Sequence, residues 1–172
     1  PELVEEISYR KGSYYSNVGD FSGAGSARVQ TRDHAIPSSI QLGVGEFGFE
    51  RALFSGSADR GSSQLIYGLE LQGYEGPWDQ IDEDVRKTNF MLKQIWESNE
   101  SRYSLALMGY DNKWNSADQI PDRAVRSGLI SKYGSIDTTS GGDSSRYSLS
   151  FGMSHPLAGG DLNVNAYAID YQ

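Results

Sequence analysis

The chain contains no cysteine, so neither a disulfide framework nor a thiolate metal site is open to it. Positive charge is scarce: 15 Lys and Arg stand against 23 Asp and Glu, a formal net charge of −8. Nucleic acid needs a basic face, so that balance argues against it as a partner. The two histidines, His34 and His155, stand alone in the sequence, and no Ser-His-Asp or Cys-His arrangement can be assembled around them. No run approaches the roughly 20 apolar residues of a transmembrane helix, and mean hydropathy is −0.54. A membrane is not thereby excluded. A barrel strand needs only about 10 residues with every second one apolar, which keeps mean hydropathy low. Twenty glycines and eleven tyrosines beside only five prolines suit an all-β chain.

What is present is period-two patterning. From Arg146 to His155, Tyr147, Leu149, Phe151 and Met153 alternate with Ser148, Ser150, Gly152 and Ser154. Leu65, Tyr67, Leu69 and Leu71 alternate with Gln64, Gly68, Glu70 and Gln72; Tyr103, Leu105 and Leu107 alternate with Ser104, Ala106 and Met108. Ile40, Leu42 and Val44 form another apolar set. Its phase flips at Glu46, putting Phe47, Phe49, Arg51 and Leu53 on the apolar side beyond a turn or bulge near 45–48. Tight turns are expected at 58–62, 97–101 and 157–161, and long polar loops at 75–86 and 111–145. Short turns alternating with long loops is the rhythm of an outer-membrane barrel, whose two rims differ in this way. About seven strands are expected, with one short helix near 123–129. Pro1 is not Met, and the last residues, to Gln172, lie inside an alternating segment, which reads as a piece of a longer protein.

Several motifs have simpler readings. Gly43 to Gly48 spells G-x-G-x-x-G, but no helix or βαβ crossover follows it, so a strand turn explains the glycines. Asp111 to Asp122 resembles a calcium loop without the sixth-position Gly and twelfth-position Glu of an EF-hand. Glu70, Glu75 and Asp79 offer glycosidase-type carboxylates whose separation nothing fixes. No catalytic residue, cofactor or metal site is assigned. Trp96, beside a short turn, suits an interfacial girdle. Trp78 and Trp114 border the long loops, and are read first as girdle or loop packing and second as stacking surfaces for a ligand such as a sugar.

Val4-Glu5-Glu6-Ile7-Ser8-Tyr9-Arg10-Lys11-Gly12 resembles the V-E-R-I-E-V-L-R-G-P segment near the end of the plug domain of TonB-dependent outer-membrane receptors. Ser22 to Thr31 is similar to that family's last plug strand, G-A-x-G-G-x-I-N-I-x-T. Glu75 to Trp78 with Arg86 to Asn89, Trp114 to Val125, and Gly141-Gly142 with Arg146 to Ser150 extend the resemblance over nearly the whole chain. Lys11 and Ser13 depart from the usual Arg and Pro, and Arg28 stands where an apolar residue is usual.

The resemblance implies an all-β fold. Residues 1–33 would be the C-terminal part of a plug, and 34–172 the N-terminal part of a 22-stranded, plugged, antiparallel transmembrane barrel. It implies an outer-membrane location in a Gram-negative cell and import of a scarce nutrient: an iron chelate, vitamin B12 or a saccharide. A TonB-type periplasmic coupling protein would supply energy through a region absent here. Tyr14, Tyr15, Trp78 and Trp114 are the candidate ligand contacts. Such a piece, with two open sheet edges, is not expected to be stable in lipid alone. The rivals are a small stand-alone outer-membrane barrel and a soluble β-sandwich that binds carbohydrate.

Overall fold

The computed structural model describes residues 2–15, 18 and 22–172. The chain divides into two units, Pro1–His34 and Ala35–Gln172. The first holds an antiparallel hairpin, β1 (Val4–Lys11) and β2 (Gly25–Thr31). The stretches Val4–Gly12 and Ser22–Thr31 supply these two strands. A bulge between Val4 and Glu6 leaves Glu5 outside the ladder, and such a bulge re-aims a side chain.

The second unit is one antiparallel sheet of seven strands. These are β3 (Ser39–Val44), β4 (Glu50–Arg60), β5 (Ser63–Tyr74), β6 (Val85–Ser98), β7 (Ser101–Asn115), β8 (Gly141–Leu157) and β9 (Gly160–Tyr171). They pair in sequence order, so β3 and β9 are edges and the sheet does not close. Connections at one rim are two residues each, at 61–62, 99–100 and 158–159. At the other rim they lengthen along the chain, from 45–49 to 75–84 to 116–140. One helix, α1 (Asp122–Arg126), lies in the longest of them. All-β class, seven strands and alternating rims agree with the sequence pattern.

The pairing fixes which residues share a face. Leu42, Ala52, Leu71 and Thr88 form one cross-strand row. Tyr67, Leu92, Leu107, Leu149 and Ala168 form another. On β6 to β8 this apolar face ends in polar residues: Phe90 gives way to Thr88 and Arg86, Gly109 to Asp111 and Lys113, Tyr147 to Ser145 and Asp143. Aromatic pairs stud it: Trp96 stacks on Tyr103 at 5.3 Å beside the short turns, and Phe90 lies 6.5 Å from Tyr147 nearer the long loops. The opposite face is rich in polar groups, among them Gln41, Arg51, Glu70, Lys87, Asn89, Ser148 and Ser150.

Burial runs against the usual rule for a soluble sheet. Of the buried side chains on β4 to β7, Leu53, Ser55, Ile66, Glu70, Met91 and Ile95 lie on the polar-rich face, and Ser101, beside a short turn, lies on the other. Much of the apolar face is exposed, including Leu42, Phe54, Leu71, Leu92, Leu107 and Leu149. Contiguous apolar surface of this kind marks contact with a partner, a ligand or a membrane.

Two sequence expectations change. On β4 the apolar side carries Ala52 and Phe54, while Arg51 and Leu53 point to the polar-rich face. The turn at 45–49 absorbs the phase shift. Phe47 and Gly48 take positive φ (58° and 69°), and the Gly45 N–H donates to the Phe49 carbonyl at 2.8 Å. The calcium-like segment is no loop at its start, because 111–115 belongs to β7 and pairs with β8.

Gly109 shows how tightly the apolar face is packed. A Cβ there would come within 2.0 Å of the Phe90 ring. Gly109→Ala should displace that ring and destabilise the sheet by roughly 1–3 kcal/mol, read from a denaturant midpoint. An unchanged midpoint would mean that the ring does not rest on this strand.

Candidate functional site

Two polar assemblies stand out in the second unit. The first lies on the polar-rich face. Glu70 on β5 is buried, and it accepts from Arg51 Nε at 2.6 Å and from Asn89 Nδ2 at 2.7 Å, with Lys87 Nζ at 3.9 Å. Each partner is placed by register: Asn89 is directly opposite Glu70 on β6, and Arg51 sits one position along β4 on the same face. Both carboxylate oxygens are engaged, so the buried charge is compensated. Nearby, Arg51, Gln72, Glu75 and Lys87 help line a cavity of about 880 Å³ at the long-loop end.

The second assembly is the cap formed by the two longest loops. The Asp79 N–H donates to the Tyr133 carbonyl at 3.0 Å, and the Ser131 hydroxyl donates to the Asp79 carboxylate. The Ser135 N–H donates to Gln80 Oε1 at 3.0 Å. Asn115 ties the cap to the strand end, donating through its backbone N–H to the Glu83 carbonyl at 2.6 Å and through Nδ2 to the Asp82 carbonyl at 2.9 Å. Ile81, Ala124 and Ser135 are buried within these segments. Backbone groups that a free loop would leave to water are paired across the two segments, which orders both.

The predicted contacts distribute as follows. Trp78 donates its indole N–H to Glu83 Oε1 at 2.5 Å, and its ring lies 6.4 Å from that of Tyr133. Trp114 is the penultimate residue of β7, and its indole covers Gly142 on β8, where a Cβ would sit 3.1 Å from it. Trp78 is therefore packed loop to loop and Trp114 strand to strand. Tyr14 and Tyr15 belong to the hairpin unit. Tyr14 is exposed beside Gly12, and the Arg10 guanidinium lies 5.1 Å from the Tyr15 ring centre. Tyr133 was not singled out in the sequence, because only the folding of one loop onto the other gives it a role.

Glu70, Glu75 and Asp79 are engaged separately: Glu70 by Arg51 and Asn89, Asp79 by Ser131, while Glu75 lies over Gly48. His155 contacts the Ser101 hydroxyl at 2.8 Å from within β8, not at a turn. His34 is not isolated, since ligand-type atoms of Glu5, Asp33 and His34 lie within 4.8 Å of one another. Arg32 Nη1 is 3.5 Å from the other ring nitrogen. That nitrogen is Nε2; Nδ1 lies 3.6 Å from Glu5 Oε1. Glu5, Arg32 and His34 thus form one polar cluster in the hairpin unit.

The cap should respond to acid. Asp118 is held below the usual carboxylate range first by the Ser135 hydroxyl and then by the Ile136 N–H. Asp137 is held low first by the Thr139 hydroxyl and then by its N–H. Lowered folded values mean a contribution present above the ordinary value of 3.8 and lost as pH falls through the folded value. Amide exchange in 116–140, taken relative to the intrinsic rate at each pH, should thus stay slow at neutral pH and rise below about pH 4. A rise centred near pH 6 would assign the change to other groups.

Compared with known protein families, with curated proteins and with solved structures, the chain gives no match.

Proposed function

We propose that the sheet is a section of an outer-membrane β-barrel wall belonging to an energised importer of a scarce extracellular nutrient, with the β1–β2 hairpin as plug tail. The observation that carries this reading is the long apolar face left largely exposed along the sheet, opposite a face rich in polar groups. Lipid satisfies such a face and water does not. The rims support it as well, because two-residue turns on one side and long loops on the other are what a barrel presents to periplasm and exterior. The polar-rich face then lines a wet lumen, with Glu70, Arg51 and Lys87 on its wall. The ordered cap stands at the outer mouth, where Trp78 would meet ligand; on the hairpin unit, Tyr14 and Tyr15 remain the candidate contacts. Coupling would come from a TonB-type periplasmic protein acting on a region beyond these residues.

Three measurements test this. The gene product should sediment with outer-membrane markers in a density gradient. Deleting the gene should abolish growth on one limiting nutrient, and a protonophore should abolish that uptake in the parent strain. Recovery in the soluble fraction would refute the membrane placement. Uptake that survives the protonophore would refute energised import.

A further inference from the structure

We propose that the Trp78–Tyr133 face of the outer cap is a binding site for a small organic cation, a protonated amine or quaternary ammonium. The proposal stands on the cap's own geometry, whether or not the sheet lies in lipid. Segment 75–84 carries Glu75, Asp79, Asp82, Glu83 and Asp84 with no Lys or Arg. Segment 116–140 is balanced, with Asp118, Asp122 and Asp137 against Arg123, Arg126 and Lys132. Arg126 is paired to Asp122 at 2.6 Å. The cap as a whole is therefore anionic and draws cations toward it.

The aromatic pair supplies the second requirement. Trp78 is fixed by its N–H to Glu83, and the Tyr133 backbone is fixed at both ends, its N–H by the Ser131 hydroxyl and its carbonyl by the Asp79 N–H. Rigid aromatic rings present contact area at little entropic cost. Tyr133 is 45% exposed, so a ring surface remains for a ligand. One cation already uses it: the Lys132 ammonium lies 5.6 Å from the Tyr133 ring centre. An incoming ammonium would take the place of that side chain, held by the ring quadrupole within an anionic cap.

Competition with Lys132 gives the test its sign. The probe is tetramethylammonium chloride, added to the full chain at fixed ionic strength and followed by saturation-transfer NMR on its methyl signal. Citrate serves as the anionic comparison. Lys132→Ala should tighten tetramethylammonium binding about twofold to fivefold, as expected for releasing one exposed cation–π contact. Tyr133→Leu should weaken it by at least as much, with the proteolytic pattern of 116–140 unchanged in both variants. Citrate should give no transfer. The proposal is overturned if Lys132→Ala leaves binding unchanged or weakens it, if citrate binds in preference, or if tetramethylammonium gives no transfer even to the Lys132→Ala chain.

Discussion

Leu149→Arg is expected to destabilise the folded protein in lipid by roughly 2–4 kcal/mol, the cost of an arginine on the lipid face near mid-membrane. Leu149 lies in the middle of the apolar face, in the row that runs from Tyr67 through Leu92 and Leu107 to Ala168. Its 47% exposure makes the outcome diagnostic. In water, arginine at such a position changes stability by less than about 0.5 kcal/mol. Ser150→Arg, one residue along and on the polar-rich face, is the matched control and should be close to neutral. Urea unfolding of both variants in vesicles reads the difference. Equal effects would remove the distinction between the faces.

Arg51→Met should cost about 2–3 kcal/mol. Removing one partner of a buried pair costs roughly 3–5 kcal/mol, and the partial exposure of the Arg51 side chain, 23%, reduces that. The loss comes from Glu70, left in a largely buried position with Asn89 and the more distant Lys87. Adding Glu70→Gln should restore most of the stability, because a neutral amide at that position leaves no uncompensated charge. A double-mutant cycle measures this. Simple additivity of the two losses would show that Arg51 and Glu70 are not coupled. Because both residues project from the polar-rich face, the same variants leave the apolar face untouched, so the two predictions are independent.

The strands were legible where alternation was strict. Leu65 to Leu71 and Tyr147 to Met153 each present one apolar set, and both lie on the expected face. The rims were legible because two-residue turns leave a short gap between alternating runs. β4 was not. Leu53 is apolar yet faces the polar side, where it is buried, and its hydrophobicity misled the phase. The ends of β7 and β8 were missed for a related reason. Beyond Gly109 and Tyr147 the alternation continues in charged and polar residues such as Asp111, Lys113 and Asp143, which read as loop although they pair as strand.

The cap was the least legible part. Its order comes from contacts between residues some fifty positions apart, Asp79 with Ser131 and Gln80 with Ser135. No local signal announces them. The sequence picked out Trp78 as an aromatic near a loop start, but its partners Glu83 and Tyr133 emerge only in the folded chain. Trp114 shows the complementary case. Its place at the loop border was apparent, and its role as a cover for Gly142 follows from a strand that extends farther than expected.

The claim that the apolar face meets lipid is most directly tested by cysteine scanning along β7 and β8. The chain has no native cysteine to interfere. Single cysteines at 105, 107, 149 and 151 should resist a water-soluble maleimide and react with a lipid-soluble one in intact membranes. Cysteines at 104, 106, 148 and 150 should do the reverse, giving a period-two pattern in phase across both strands. Uniform labelling by the water-soluble reagent, or a pattern with the phase inverted, would contradict the account.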